Sequence, residues 1–141
     1  MVDGAGLVVA SNPARNELYA AVAPLGADYL VAWAVWDTSN ATYQVRASRI
    51  AAGPVGVMDP SGLVLSEVAG HRRPTVATGG ASWFVAWESV SGATSELNSA
   101  TVSPSGDVTV GHGFPVASVS SLLQTESVVA SNASNYLVVC T

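Results

Sequence analysis

At 141 residues the chain has room for one ordinary domain of roughly 100–150 residues, and a hydrophobic share of 49% excludes a disordered chain. Only 11% of residues are charged, all five basic ones are arginine, and the net charge is −5, which excludes the basic stripe of a nucleic-acid binder and disfavours an anionic membrane surface. One cysteine, Cys140, rules out an intrachain disulfide and supports no metal site.

In chain order, Met1–Ala10 lacks a basic n-region, and its apolar run is too short for the core of a signal peptide. No stretch reaches the roughly 18 apolar residues of a membrane helix. The opening Asp3-Gly4-Ala5-Gly6 reads as a turn, followed by an outer-type strand at Leu7–Ala10. Strands are then expected near Ala20–Pro24, Asp28–Trp36, Tyr43–Ile50 and Leu63–Val68. A second set of four falls near Pro74–Thr78, Ser82–Ser89, Glu96–Val102 and Asp107–Phe114. The start of a third set lies at Val128–Ala130 and Tyr136–Cys140. No sustained 3.6-residue apolar period with caps predicts a helix.

These sets are copies of one another. Asp28-Tyr29-Leu30-Val31-Ala32-Trp33, Ser82-Trp83-Phe84-Val85-Ala86-Trp87 and Asn135-Tyr136-Leu137-Val138-Val139-Cys140 recur at spacings of 54 and 53 residues. Each follows a short β-type run: Ala21-Val22-Ala23, Thr75-Val76-Ala77 and Val128-Val129-Ala130. Asp59-Pro60-Ser61-Gly62 resembles Ser103-Pro104-Ser105-Gly106; proline presets the first central position of a tight turn, and the glycine supplies positive φ. Along the strand at Asp28–Trp36, Tyr29, Val31 and Trp33 point to one face and Leu30, Ala32 and Ala34 to the other. Both faces are apolar, so the strand is expected to be covered on both sides, as in a blade held between two neighbours.

Pro74, Val76 and Ala77, then Tyr29 to Trp33, then Arg49 and the turn Asp59 to Gly62, give the pattern P-x-V-A, Y-L-V-x-W, R and D-x-x-G. That pattern resembles a bacterial propeller-type repeat over nearly the whole chain. The third copy departs from it, with Cys140 in the tryptophan position. The resemblance implies an all-β fold, a propeller-like array of four-stranded antiparallel blades with about two complete blades and partial blades at both ends. Residues 1–19 would end a preceding blade, 20–73 form the first complete blade, 74–126 the second, and 127–141 begin an incomplete third.

Trp33 and Trp87 are candidate platforms for sugar rings, but their repeat position in a doubly covered strand assigns them to the core. Trp36 has Val90 as its repeat equivalent and sits where the strand exits, so Trp36 and Asp37 are the candidate ligand contacts at a loop mouth. His71 and His112 lack partners at metal-ligand spacing and are expected in solvated loops. Arg72 and Arg73 can bind a carboxylate, but are expected to be exposed at a hinge between blades. No metal or cofactor is expected, and no G-x-S-x-G, H-E-x-x-H or aspartate-box motif occurs.

The expected function is therefore a non-enzymatic binding or scaffold module of a surface or secreted repeat protein, its ligand a glycan or another protein. Rival readings are a sialidase-like propeller glycosidase and a truncated piece of a larger propeller. Two and a half blades leave apolar outer faces, so self-association or further blades of a longer parent chain are expected as partners, with no nucleic acid and no membrane insertion.

Overall fold

A computed structural model describes residues 6–12, 15–38, 41–66, 70–92, 94–118 and 126–141, and these form three antiparallel sheets with no helix among them. The first sheet holds β1 (Arg15–Leu25), β2 (Asp28–Asp37), β3 (Thr42–Ala52), β4 (Val55–Val57) and β5 (Leu63–Ser66). Its order is β1-β2-β3-β4, with β5 also pairing β3. The second is a meander of β6 (His71–Gly79), β7 (Ser82–Ser91), β8 (Thr94–Val102) and β9 (Val108–Ser118). The third is the hairpin β10 (Val128–Ser131) and β11 (Tyr136–Val139).

The copies superpose residue for residue on special backbone positions. Tyr19, Arg73 and Glu126 all have positive φ, at 56°, 51° and 53°, and they stand 54 and 53 residues apart. In β1 and β6 this residue sits inside the register shift, between Leu18 and Ala21 and between Arg72 and Thr75. A left-handed residue within a bulge bends the strand and raises its twist. Gly26, Gly80 and Ala133 form a second series, at 62°, 62° and 73°, in the turns that join the first two strands of each copy. In the shared turns, the amide of Gly62 donates to Asp59 O and that of Gly106 to Ser103 O, each at 2.9 Å.

The bulge explains why β1 and β6 begin earlier than the expected Ala20 and Pro74: pairing continues past the irregular residue. An additional short hairpin, β3 with β4, fills the stretch between Ala52 and Met58 that the second copy lacks. Leu7–Ala10 is corrected: residues 6–12 carry no strand. This segment lies over the side chains of Val31 and Trp33, bordering a hollow with them, rather than along a sheet edge. Residues 3–5 of the expected opening turn and 67–68 of the expected Leu63–Val68 strand lie outside the described residues.

Side chains leave a strand alternately, so each sheet offers one face to the sheet before it and one to the sheet after. Ala23, Leu30 and Ala32 of the first sheet pack on Trp83, Val85 and Trp87 of the second, all buried. Ala77, Phe84 and Ala86 on the second sheet's other face pack on Val129, Tyr136 and Val138 of the third. Tyr136 stacks on Phe84 with ring centroids 4.4 Å apart. Both faces of β7 are thus covered, which is why it reads as a continuous apolar run.

Candidate functional site

The two inter-sheet contacts share a packing pattern, and in each the leading aromatic donates to a backbone carbonyl near the end of the preceding sheet's first strand, at Ala23 in one and two repeat positions later, at Gly79, in the other. The indole N–H of Trp83 donates to Ala23 O of the first sheet at 3.0 Å. Its equivalent in the next copy, the Tyr136 hydroxyl, donates to Gly79 O of the second sheet at 3.0 Å. The first-sheet equivalents are Val22, Tyr29, Val31 and Trp33, and among the described residues no sheet lies in front of them. Val22 is 62% exposed and Tyr29 44% exposed. An apolar face that is interior in the second and third sheets is therefore open in the first, and it is the candidate functional surface.

At the far end of this face Trp33 is itself buried. The turn ending in Gly62 lies so close that a Cβ there would stand 3.3 Å from Trp33 Cζ2. In front of the indole is a hollow of about 250 Å³ lined by Asn12, Arg15, Glu17, Arg46 and Ser61. Arg15 is ion-paired to Asp37 at 3.5 Å, and Arg46 donates to Ser61 O at 3.3 Å. The Trp33 N–H is buried with no hydrogen-bond partner among the described residues. Its equivalent, Trp87, donates to His71 Nδ1 at 2.9 Å. Glu17 occupies the place of His71 in the first copy and does not accept that proton.

Trp36 and Asp37 are successive residues of β2, so their side chains leave opposite faces. Trp36 lies against Tyr43, with centroids 4.5 Å apart. Asp37 is buried and ion-paired to Arg15, which lines the hollow in front of Trp33, while Asp37 itself does not line it. The structure does not bring the two together.

His71 is corrected. It is a buried residue of β6, not a loop residue in solvent, because the bulge extends the strand back to it. Its Nδ1 meets the Ser66 hydroxyl of the first sheet as well as the Trp87 N–H, so a neutral ring with an accepting Nδ1 satisfies the site. Burial lowers its pKa from 6.5 to about 4. His112 falls within β9 and not in a loop.

The arginine pair is corrected as well. Arg72 and Arg73 flank Glu88, a fully buried carboxylate of β7, at 3.4 and 3.5 Å. The Arg72 contact is an ion pair without a hydrogen bond, since among the described residues neither Arg72 Nε nor Glu88 Oε2 has a bonded partner. The amide of Glu126 donates to Glu88 Oε1 at 2.7 Å, and the Arg73 guanidinium lies 5.5 Å from the Tyr19 ring centroid. The carboxylate these arginines bind is internal: they tie β6 to its neighbour β7, and Arg73 also reaches Tyr19 of the first sheet.

Arg49, the motif arginine, holds Asp59 in a fork: Nε to Oδ2 at 2.9 Å and Nη2 to Oδ1 at 2.7 Å. Its Nη1 donates to Pro104 O in the second sheet's turn at 2.7 Å. The guanidinium holds the Asp59 carboxyl below the usual carboxylate range, and the carboxylate in turn raises the arginine. The repeat arginine is thus a clasp between neighbouring turns. Sequence reasoning expected apolar outer faces but did not single out Val22 and Tyr29, and it missed the buried Glu88. The face at Val22 and Tyr29 was legible in the repeat alignment itself, since every equivalent of Tyr29 begins a core strand.

Among the described residues no group of three or more His, Cys, Asp or Glu side chains is placed to hold a metal ion. The chain matches no protein-family model, no curated protein and no solved structure.

Proposed function

We propose that the chain is a non-enzymatic binding or scaffold module of propeller type, which works by presenting the open face of its first sheet to a partner. One observation carries this reading. The residues exposed on that face, Val22 and Tyr29, are the repeat equivalents of Val76 and Trp83 and of Val129 and Tyr136, which pack onto a preceding sheet. A propeller-like array is supported by the order of contacts. First strands lie on first strands, β1 on β6 and β6 on β10, and last strands on last strands, β5 on β9. Four-stranded meanders stacked in this sense are how blades follow one another.

Footprinting tests the reading. Hydroxyl-radical labelling of Tyr29 should fall when a binder is present, whether the binder is more of the chain or an added neutral or sialylated oligosaccharide. Met58, exposed just after β4 and away from both faces, serves as the internal control. Protection confined to Trp36 and Tyr43 with Tyr29 unchanged would place the working surface elsewhere. A second reading, a small polar ligand in front of Trp33, is favoured by the unpartnered indole N–H and the guanidinium groups around it. In that case the same oligosaccharides should change tryptophan emission in the parent protein and not in Trp33→Phe.

A further inference from the structure

We infer that the open face of the first sheet takes the outer face of the third sheet from a second copy of this chain, so that copies join head to tail. The inference rests on the reading of that face as a partner surface and names the partner. It follows from continuing an interface that the chain already builds twice. The first contact sets Ala23, Leu30 and Ala32 against Val76, Trp83 and Val85. The second, one period on, sets Ala77, Phe84 and Ala86 against Val129, Tyr136 and Val138. Advancing once more, the donor face is Ala130, Leu137 and Val139. Counting back once, the acceptor face is Val22, Tyr29 and Val31.

Both faces are present: Val22 and Tyr29 are exposed on the acceptor face, with Val31 half-buried at its edge, and the donor face is exposed as well. Leu137 and Val139 are 64% and 54% exposed, beside Val128 at 63%. Contiguous apolar surface of this kind marks an interaction site. The donor face also carries a receptacle. A hollow of about 470 Å³ is lined by Ala130, Ser131, Asn132, Asn135, Tyr136 and Leu137. Ala130 and Leu137 are the equivalents of Ala77 and Phe84, which receive Tyr136 in the second contact; Asn132 stands where Gly79 admits that ring, so the closer precedent is the first contact, in which Leu25 holds this position and the aromatic donates to Ala23 O, the equivalent of Ala130 O. The side chain that fits this hollow by the repeat rule is Tyr29 of the second copy, with its hydroxyl donating to a carbonyl at the end of β10.

Extent and charge agree with the pairing. β10 and β11 are the equivalents of β1 and β2, and they match the part of the first sheet that carries Val22 and Tyr29. The Trp33 end is already occupied by Leu7–Ala10 and the turn at Gly62. Residues 128–141 include no charged side chain, so the net charge of −5 is not concentrated on the donor face. Because the two faces differ, the contact is heterologous, and it propagates into a closed ring or a filament rather than stopping at a symmetric dimer.

Complementary variants read by sedimentation test this. The parent chain should form species heavier than 14.3 kDa that grow with concentration. Tyr29→Asp retains only the donor face and Leu137→Asp only the acceptor face, so each alone should sediment as a monomer. Their equimolar mixture should stop at a dimer. Far-UV circular dichroism verifies that both fold, and Tyr29→Phe, which keeps the ring and loses the hydroxyl, should weaken self-association at least several-fold in a chain that cannot misfold for lack of the aromatic. A parent chain that remains monomeric at its solubility limit overturns the proposal. So does a dimer of Leu137→Asp alone, because the acceptor face would then be pairing with itself. That second outcome leaves the partner-surface reading intact, whereas self-association untouched by Tyr29→Asp, with Tyr29 fully labelled in every footprint, removes both.

Discussion

His71 shows how one side chain couples the sheets to pH. In the folded chain it is neutral, held between Trp87 and Ser66, with a pKa of about 4 against 6.5 when exposed. The unfolded chain therefore binds more protons between those values, and stability rises with pH across that window. The contribution is whole above pH 6.5 and is lost as pH falls toward 4, by roughly 3 kcal/mol at the full shift. Denaturant midpoints measured across pH 7 to 4 should fall accordingly, and His71→Gln should flatten the slope. Trp87→Ala removes a fully buried indole along with its bond to His71, and should destabilise by roughly 3–5 kcal/mol in the same assay. Ala133 stands in the left-handed position that glycine fills in the two earlier copies. Ala133→Gly relieves a strain of roughly 1 kcal/mol and should raise the melting temperature slightly, the gain being reduced by the larger entropy of the unfolded glycine chain.

At the scale of elements, the turns and the strands that meet them carry the specificity. Arg49 serves an acceptor in its own turn and another in the next, using a planar fork that lysine cannot reproduce. Arg49→Lys should cost roughly 1–3 kcal/mol in chemical denaturation. The lowered Asp59 pKa adds a second acid-sensitive contribution, present above the unfolded carboxyl pKa near 4 and lost as pH falls through the folded value. Gly79 is where the Tyr136 ring crosses the second sheet, since a Cβ there would lie 2.6 Å from Cζ. Gly79→Ala should therefore loosen the third sheet selectively, seen as faster amide exchange in β10 and β11 with β7 unchanged. Strand existence was legible because apolar runs bounded by Gly-Gly or Pro-Ser-Gly have few other readings. The early starts of β1 and β6 were not, because a left-handed tyrosine or arginine leaves no signature in composition. His71, Arg72 and Arg73 were misplaced for that same reason: the bulge carried them from an expected loop into a strand. Glu88 was equally hidden, since nothing local tells a buried carboxylate from a solvated one until its arginines are in place.

For the whole molecule, the expected far-UV spectrum is that of a nearly pure β protein. A helical content above about a fifth would be incompatible with these three sheets, when ordinary domains average roughly a third. The candidate surface was legible only at this scale. Tyr29 alone is an ordinary strand residue, and its exposure stands out only when it is read as the equivalent of Trp83 and Tyr136.

Sheets that touch only their neighbours also set an order of melting. Within each sheet the pairings are local, while the contacts between sheets join residues about one repeat apart, so the energy resembles a one-dimensional chain of coupled units. Among the described residues the second sheet is coupled on both sides and the first and third each on one, and the third is a two-stranded hairpin of the kind that is marginal alone. Unfolding should therefore begin at the third sheet and move inward, leaving the amides of β7 as the last to exchange. Docking of a second copy would supply the missing coupling at both ends, and the gradient of exchange along the chain should then level out.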